Sequence, residues 1–322
     1  MTARALSVDP LWPRAGGWPA VGDVEEPLDL ALVGIPTWRT SLSATGAGET
    51  PAAVRAALRY YSAFLAPDRS APAEPSGATP ARVGSLDALR IADFGDASEP
   101  DGAEGEARAA ALVADAAARA SVVVALGGDN ALTVPVALGT WGADIARAGL
   151  ITLDAHYDLR DGISNGSPVR RLVEAGLDGR RIVQIGIADF ANSRAYAERA
   201  AELGITVVHR DELYRRPIAD VMAEALQIAG SAGGPIHLDI DVDVCDRSVA
   251  PACPAAVPGG ISAYELRSAV RAAARHPQLR SVDIAEVDAT ADAPDGRTVR
   301  LAALCVLEVV AGLAHRTPSR AS

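Results

Sequence analysis

Short apolar runs alternate along the chain with longer stretches rich in alanine and arginine. The runs have the length of strands, and the stretches between them are long enough for helices. Because strands that alternate with helices usually pair in parallel, this pattern predicts an α/β fold with a parallel sheet covered by helices on both faces. The predicted strands are 29–35, 89–94, 121–126, 149–153, 181–187, 205–208, 235–240 and 280–285, and the predicted helices are 51–64, 104–119, 168–176, 193–203, 217–229, 262–275 and 297–313.

The length of 322 residues fits one large α/β domain. Residues 1–27 are rich in proline, glycine and tryptophan, so we expect an irregular N-terminal segment, followed by a single domain over 28–316 and a short tail over 317–322. Residues 66–86 are rich in proline, alanine and serine and predict a surface loop. In open parallel sheets, ligands bind at the carboxyl ends of the strands, so the residues that directly follow the apolar runs are the candidates for chemistry.

Carboxylates cluster at the ends of two of these runs. Residues 154–158 are Asp-Ala-His-Tyr-Asp, and residues 239–246 are Asp-Ile-Asp-Val-Asp-Val-Cys-Asp. Since alternate side chains of a strand share a face, the two acids and the histidine of the first cluster can converge, as can Asp239, Asp241 and Asp243. Buried carboxylates lose hydration and repel one another, and bound cations are the usual compensation. Oxygen donors with one imidazole suit manganese or another fairly hard divalent metal, so the clusters predict a binuclear metal hydrolase site.

At these positions the chain resembles the ureohydrolases, the family of arginases, agmatinases and formimidoylglutamases. The order and spacing of the family signatures match over roughly residues 30–314. The resemblance implies an arginase-like fold, which is a three-layer α-β-α arrangement with a central, mainly parallel sheet of about eight strands, and a single catalytic domain. It also implies a metal-dependent hydrolase that acts on C–N bonds of linear amidines. The matching segments are Gly127–Asn130, Asp154–Asp158, Asp239–Asp246 followed by Ala250–Pro251, and Glu286–Asp288.

The resemblance further implies which residues hold the metals. The family places the three acids of the second cluster at a first position and two and five residues after it, which Asp241, Asp243 and Asp246 fit and Asp239 does not. The implied cofactor is Mn²⁺, with two ions expected per chain. Asp154 and Asp241 are implied as bridging ligands, His156 and Asp243 as ligands of one metal, and Asn130 and Asp158 as ligands of the other.

Asn130 departs from the family pattern, because relatives generally carry histidine there. An amide oxygen can ligate a hard cation, but it is a weaker donor than imidazole. Two interpretations follow. Either Asn130 binds its metal weakly in an active binuclear centre, or this metal position is partly vacant. The second interpretation leads to a metal-poor, non-catalytic homologue that binds a ligand or regulates a partner.

The loop after the first metal motif indicates the substrate. Arginases and agmatinases usually carry a histidine in this loop, where the chain has Asn165. The segments Asp158-Leu159-Arg160, Gly166-Ser167-Pro168 and Phe190-Ala191-Asn192-Ser193 resemble those of formimidoylglutamases. This resemblance predicts hydrolysis of N-formimidoyl-L-glutamate to L-glutamate and formamide, a late step of histidine breakdown. The alternative is a guanidino hydrolase that releases urea from agmatine, guanidinobutyrate or an arginine-like compound.

The resemblance also assigns roles around the small-molecule amidine substrate. Asp158 is implied to hold the attacking water and to help pass its proton to the leaving nitrogen, and Glu286 to face the cationic amidine. A substrate with two carboxylates needs cationic anchors, which Arg160, Arg170 and Arg171 are placed to supply. A solvated helical turn remains open for Arg170 and Arg171, and a backbone-bonded strand-end acid for Glu286. The substrate-binding candidates are Arg160, Asn165, Ser167 and Glu286.

Composition narrows the partners and the compartment. A net charge of −11 argues against nucleic acid or an anionic membrane as partner. The chain has no lysine, which excludes Schiff-base chemistry, and its three cysteines form neither a disulfide framework nor zinc spacing. The sequence lacks a secretory leader pattern and an apolar run of about 18 residues, so we expect a cytoplasmic protein. The family resemblance implies a homo-oligomer.

Overall fold

The computed structural model describes residues 6–66 and 84–316. Its strands are β1 (Leu28–Ile35), β2 (Phe64–Leu65), β3 (Gly84–Ser85), β4 (Ile91–Asp96), β5 (Ala120–Gly127), β6 (Gly149–Leu153), β7 (Ile182–Ile187), β8 (Thr206–His209), β9 (Ile236–Asp241) and β10 (Leu279–Ala285). Eight of them form one sheet in the order β4-β1-β5-β10-β9-β6-β7-β8, and every neighbouring pair is parallel. The eight predicted strands are therefore confirmed, with bounds that shift by no more than two residues.

Helices cover both faces of this sheet. They are α1 (Thr50–Leu58), α2 (Gly102–Arg119), α3 (Thr133–Trp141), α4 (Pro168–Glu174), α5 (Arg194–Glu202), α6 (Ile218–Ala229), α7 (Ala263–Arg275) and α8 (Arg297–Ala314). Helices α1, α6, α7 and α8 pack apolar side chains into one core, whereas α2, α3, α4 and α5 pack into cores on the other face. The predicted three-layer arrangement is confirmed.

Burial explains why the centre of the sheet could be predicted. Strands β6 and β9 are buried along their whole length, and β5 is buried except at Ser121. A parallel strand that is covered on both faces needs apolar side chains on both, so it appears in the sequence as a continuous apolar run. The edge strands β4 and β8 are partly exposed and less continuous in their apolar pattern.

Three segments differ from the prediction or lie largely outside its test. Helix α3 was not predicted, because its segment carries a proline and a glycine and has no polar face. The first helix ends at Leu58 instead of residue 64, because the chain turns there and Ser62 forms an isolated antiparallel β-bridge with Arg14. Most of the predicted loop over 66–86 lies outside the described residues, and its flanks form the antiparallel pair of β2 and β3.

The sheet order brings the candidate residues together. Strands β5, β10, β9 and β6 are consecutive neighbours at the centre of the sheet, and their carboxyl ends meet at one edge. The loops that follow these four strands carry, in the same order, Asn130, Glu286, Asp243 and Asp154. Motifs that are far apart in sequence therefore line one short edge.

The N-terminal segment over 6–27 contains one 3-10 turn, Val21–Asp23, and Ala20 forms an isolated bridge to Asp93 of β4. The division into N-terminal segment, catalytic domain and tail stays a prediction, and residues 317–322 lie outside the described part. Within the described ranges, no helix is both long and apolar enough to cross a membrane.

Candidate active site

The loop after β5 reaches the site through a glycine that lies against a neighbouring loop. A Cβ atom on Gly128 would lie 1.8 Å from the carbonyl oxygen of Thr37, so a larger residue does not fit. Asp129 then caps a short 3-10 turn by accepting the N–H of Ala131, and burial raises the pKa of Asp129 to about 6. This turn presents the buried Asn130 at the carboxyl edge of the sheet.

The loop after β6 carries the first metal motif. Asp154 is fully buried, and its Oδ1 accepts the N–H of His156 at 2.6 Å, which turns the chain directly after the strand. Asp158 follows with a left-handed backbone, φ 53°, which residues other than glycine rarely adopt. Backbone strain of this kind concentrates at functional loops, where the surrounding structure holds it in place.

The loop after β9 brings the second acid cluster against the first. Asp241 ends the strand, and its Oδ1 accepts the N–H of Asp243 at 2.8 Å. Asp243 then joins the two loops, because its Oδ1 accepts the N–H of Ala155 at 2.8 Å and its Oδ2 lies 2.7 Å from His156 Nδ1. The two clusters predicted from the sequence meet in the folded chain.

The two acids that flank this pair lie elsewhere. Asp239 lies inside β9, fully buried and paired in register with Asp283 of β10. Asp246 shapes the following loop, since its carboxylate accepts the N–H groups of Ser248 at 2.8 Å and Gly259 at 2.7 Å. This placement agrees with the register that assigns Asp241 and Asp243, and not Asp239, to the metal centre.

The cluster has the chemistry of a cation site. One ligand atom each of Asp154, His156 and Asp243 lies within 4.8 Å of the others. Asp154 Oδ2 is buried without a hydrogen-bond partner in the described part of the chain, which is costly unless a cation or a proton neutralises it. Burial and Asp243 raise the pKa of Asp154 to about 7. Burial opposes a charged His156, yet Asp243 and Asp154 raise its pKa to about 12. Divalent cations would replace the protons that these groups otherwise hold.

Asn130 lies beside the cluster with its amide towards Asp158. Its Nδ2 donates to Asp158 Oδ2 at 2.7 Å, and its Oδ1 accepts from the Thr133 hydroxyl at 3.0 Å. Because a threonine hydroxyl both donates and accepts, a half-turn of the amide would let Nδ2 donate to Thr133 and would direct Oδ1 towards the cluster. Oδ1 would then face Asp158 Oδ2, and a proton or a cation would have to lie between the two oxygens. Ligation of a metal by Asn130 stays a prediction.

Glu286 forms the opposite side of the site. It follows β10 with a left-handed backbone, φ 62°. Its Oε1 accepts the N–H of Asn130 at 2.8 Å and Nδ2 of Asn165 at 2.9 Å, and Asn165 is itself fixed by the N–H of Leu42 at 3.1 Å. Burial raises the pKa of Glu286 to about 7. A buried carboxylate held by two donors is well arranged to receive a cationic group.

These residues open into a cavity of about 390 Å³. Arg160 is exposed at its mouth, with the guanidinium 6.0 Å from the centre of the Tyr196 ring. Arg199 pairs with Asp161 at 2.9 Å, whereas Arg160 has no carboxylate partner within the described ranges. The cavity thus combines an acidic floor with a cation at the mouth, and the lining side chains include His156, Asp158, Arg160, Asn165, Asp241, Asp243 and Glu286.

Ser167, Arg170 and Arg171 do not line this cavity. Ser167 is fully buried, and its hydroxyl donates to the carbonyl oxygen of Ser164 at 2.7 Å and accepts the Ser164 N–H at 3.0 Å. The hydroxyl thus holds the turn of this loop, and the predicted contact of Ser167 with substrate stays a prediction. Arg170 and Arg171 form ion pairs with glutamates of α4 and α2, whereas Arg160 lines the cavity, and its anchoring role stays a prediction.

Two supports of the site escaped the sequence analysis. Asn192 clamps the first metal loop, since its Oδ1 accepts the N–H of Tyr157 at 3.1 Å and its Nδ2 donates to the carbonyl oxygen of Ala155 at 2.8 Å. Arg210 donates to the carbonyl oxygen of Asp243 at 3.1 Å. Both side chains bind backbone atoms, and such contacts do not require particular residue types at the partner positions, so no sequence motif reveals them. Only Asn192 carried a signal, because it lies in a segment that resembles formimidoylglutamases.

A further buried polar group lies below the cluster, one layer deeper in the sheet. His237 Nε2 lies 3.1 Å from Asp283 Oδ2, and its Nδ1 lies 2.8 Å from the Ser281 hydroxyl. Burial and the neighbouring Asp283 raise the pKa of Asp239 well above its usual range. Burial and Asp283 therefore oppose a further negative charge on Asp239, beneath the loops of the cluster.

Comparison with known proteins places this site in a family. The profile described as "Arginase family" matches residues 28–312. The chain belongs to the arginase family. The formimidoylglutamase of Bacillus subtilis is 31% identical over 291 residues, 88% of this chain and 86% of the relative. Its crystal structure superposes with a TM-score of 0.85 at 27% identity and covers 98% of this chain and 96% of that one.

Two further proteins are similar to the chain. A Trypanosoma cruzi formiminoglutamase solved with Mn²⁺ has a TM-score of 0.80 at 22% identity, covering 95% of this chain and 100% of that one. The guanidinopropionase of Pseudomonas aeruginosa is 31% identical over 245 residues, 73% of this chain and 74% of the relative. The predicted family and arginase-like fold are confirmed, and the Bacillus subtilis formimidoylglutamase matches over more of the chain than the guanidinopropionase does.

Proposed function

We propose that the chain is a formimidoylglutamase, which hydrolyses N-formimidoyl-L-glutamate to L-glutamate and formamide. The observation that carries the proposal is a single cavity in which a carboxylate–imidazole cluster, Glu286 and Arg160 face the same space. The formimidoyl group is a cationic amidine, and the rest of the substrate carries two carboxylates. Such a molecule needs an acidic floor and a cationic mouth, which this cavity provides. The similarity to the Bacillus subtilis formimidoylglutamase supports the same substrate.

We propose Mn²⁺ as the cofactor, with two ions per chain. The donor set of carboxylate oxygens, one imidazole and one amide suits this fairly hard cation, and the buried Asp154 oxygen without a partner supports cation binding. When bound, the cations polarise the substrate and lower the pKa of water. The residues that would hold the ions are Asn130, Asp154, His156, Asp158, Asp241 and Asp243.

Glu286 binds the formimidoyl group. An amidinium presents N–H donors and a positive charge, and the Glu286 carboxylate accepts both at the floor of the cavity. Because the N–H of Asn130 and the Asn165 amide hold Oε1, the carboxylate is oriented before substrate arrives. The attraction of the cation keeps Glu286 ionised in the complex, even though burial alone raises its pKa to about 7.

Asp158 moves the proton. Burial and Asp154 raise its pKa well above the usual range, so this carboxyl group can carry a proton at neutral pH. With one Asp158 oxygen on the metal, the other oxygen would accept the proton of the attacking water. The same oxygen then gives the proton to the α-nitrogen of glutamate as its C–N bond breaks, and the formimidoyl carbon departs as formamide.

Arg160 selects the anionic end of the substrate. Its guanidinium lies 6.0 Å from the centre of the Tyr196 ring, and the guanidinium of Arg199 lies 5.8 Å from the same ring centre. Stacking on an aromatic ring restricts the rotamers of a long side chain, so less entropy is lost when it binds a carboxylate. A guanidinium can bind that carboxylate through two parallel hydrogen bonds.

A guanidino hydrolase that releases urea is the second candidate. Glu286 would bind a guanidinium as readily as an amidinium, and guanidino acids carry a carboxylate that suits Arg160. A metal-poor, non-catalytic homologue is the third candidate, motivated by Asn130. With the main function we propose a role in histidine degradation, a cytoplasmic location and a homo-oligomeric assembly, which follow from the family resemblance.

One experiment separates the three candidates. The purified chain, loaded with Mn²⁺ and freed of excess metal, is incubated with N-formimidoyl-L-glutamate, agmatine and guanidinobutyrate in parallel. We expect close to two manganese ions per chain by elemental analysis, and formamide and glutamate in equal amounts. Faster release of urea from a guanidino substrate would select the second candidate. Turnover of none of the substrates with less than one metal per chain would select the third.

A further inference from the structure

Cys253 places a thiol beside the proposed metal centre. Its Sγ and one oxygen each of Asp241 and Asp243 all lie within 4.8 Å of one another, and all three side chains are buried. The Asp243 Oδ2 atom lies near the His156 ring but makes no hydrogen bond of good geometry to a described residue. Since metal–sulfur and metal–oxygen bonds are about 2.3 and 2.0–2.2 Å long for zinc, atoms at these separations can share one ion after a small movement.

The backbone around Cys253 is fixed, so the thiol stays at this place. Arg247 Nη1 donates to three carbonyl oxygens of the loop, among them that of Cys253 at 3.0 Å. The preceding N–H, of Ala252, donates to the Thr298 hydroxyl at 3.2 Å. The carbonyl oxygen of Ala252 accepts the N–H of Asp288 at 3.0 Å, which ties the loop to the segment after β10.

We propose that Asp241, Asp243 and Cys253 form a binding site for thiophilic divalent cations such as Zn²⁺ and Cd²⁺. The inference rests on the proposed metal centre, because Asp241 and Asp243 belong to both sites. Carboxylates suit hard cations, whereas a thiolate selects softer ones, so Cys253 adds a preference that the manganese ligands lack. A cation held by the thiol withdraws both carboxylates from Mn²⁺ and inhibits hydrolysis.

Binding exchanges a proton for the metal. The S–H bond of Cys253 breaks, a sulfur–metal bond forms with the electron pair of the thiolate, and one proton passes to solvent. No oxidant or reductant takes part. The other two cysteines are matched controls, because Cys245 and Cys305 are equally buried but belong to no group of potential metal ligands in the described part of the chain.

The test uses the full chain after chelation, titrated separately with Co²⁺, Cd²⁺ and Mn²⁺. Thiolate ligation is read from the sulfur-to-metal charge-transfer absorption and from proton release in weak buffer. We expect one thiolate bond per chain with Co²⁺ or Cd²⁺, lost in Cys253→Ser and retained in Cys305→Ser. Cys253→Ser should weaken Cd²⁺ binding at least about tenfold, since loss of a group that only supports a metal ligand already costs about that much, and it should leave Mn²⁺ binding nearly unchanged.

If the wild-type chain shows no charge-transfer band with Co²⁺ or Cd²⁺, the inference is refuted. This result does not depend on any variant, so the inference can be tested even if Cys253→Ser fails to fold. Retention of the band in a folded Cys253→Ser chain would overturn it as well. Failure of the wild-type chain to bind Mn²⁺ is a separate result, which would count against the proposed centre and not against the thiolate bond. Mn²⁺ binding without a thiolate band would leave the proposed function intact and refute only this inference.

Discussion

Replacing Arg160 with alanine should weaken the hydrolysis of N-formimidoyl-L-glutamate while the metals stay in place. A charge-assisted hydrogen bond contributes about 1.5–3 kcal/mol net. Arg160 is exposed at the cavity mouth, and solvent screening brings exposed ion pairs towards the lower end of such ranges. We therefore expect a decrease in kcat/KM of about tenfold, and below about 100-fold, since each 1.4 kcal/mol is a factor of ten.

The assay should separate binding from chemistry. Arg160 is proposed to contact the substrate equally in the ground state and in the transition state, so the loss should appear mainly as a higher KM. Arg160→Lys should recover only part of the loss, because an ammonium cannot make the two parallel hydrogen bonds of a guanidinium. A substrate analogue without the side-chain carboxylate should respond much less to Arg160→Ala if that carboxylate is the partner.

Arg194→Ala is the matched control, because Arg194 starts helix α5 near the same cavity but pairs with Glu198 at 2.7 Å and points to solvent. Its removal should leave kcat/KM within about twofold, as for a surface ion pair. An unchanged kcat/KM in Arg160→Ala would refute the anchoring role. A loss accompanied by reduced manganese content would assign Arg160 to the support of the metal loop instead.

Three further predictions address the floor of the site. First, the free energy of unfolding of the metal-free protein should fall as pH rises, because the folded-state pKa values of Asp154 and His156 are both raised. The loss should occur between about pH 4 and about pH 7 for Asp154 and above about pH 6.5 for His156, with a slope of at most about 1.4 kcal/mol per pH unit for each group. Urea unfolding at two pH values checks this, and a stability that rises with pH would contradict it. Asn130→His should retain manganese better during dialysis, whereas unchanged retention would mean that Asn130 is not a ligand. Glu286→Gln should lower kcat/KM about tenfold or more with metal content intact, because an amide cannot neutralise the amidinium; full activity by product assay would exclude the assigned role.

The sequence was sufficient to predict the sheet and the metal loops, and the reason is physical. Strands such as β6 are buried on both faces, so their continuous apolar runs identify them as central strands of the sheet. The acids that directly follow these strands must then lie at the carboxyl edge of the sheet. The convergence of His156 with Asp243 depends only on the neighbouring order of β6 and β9 and on the turn at Asp154.

Helix α3 shows what the sequence could not provide. Its glycine, Gly139, would be taken as a break, but a Cβ atom there would lie 2.5 Å from the carbonyl oxygen of Ala110, so the glycine permits close packing of α3 on α2. Its proline, Pro135, lies in the first turn, where a missing N–H is tolerated. The roles of Asn192 and Cys253 depend likewise on distances between loops, which no local pattern contains.

The assembly of the site from four separate loops has a consequence for folding. The hydrogen bond from the N–H of Asn130 to Glu286 joins positions 156 residues apart, and it forms only after β10 has inserted between β5 and β9. Long-range parallel pairing of this kind is slow, because the entropy of loop closure is lost before the contacts form. The proposed metal ligands lie on the loops after β5, β6 and β9, so cations that need all three loops bind the folded sheet and stabilise it by mass action. A nascent chain that has not yet delivered β10 to the sheet carries all six proposed ligands, but it lacks Glu286 and the strand that lies between β5 and β9 and so places Asn130 beside the other ligands. Occupancy of both metal positions therefore reports that the sheet is complete.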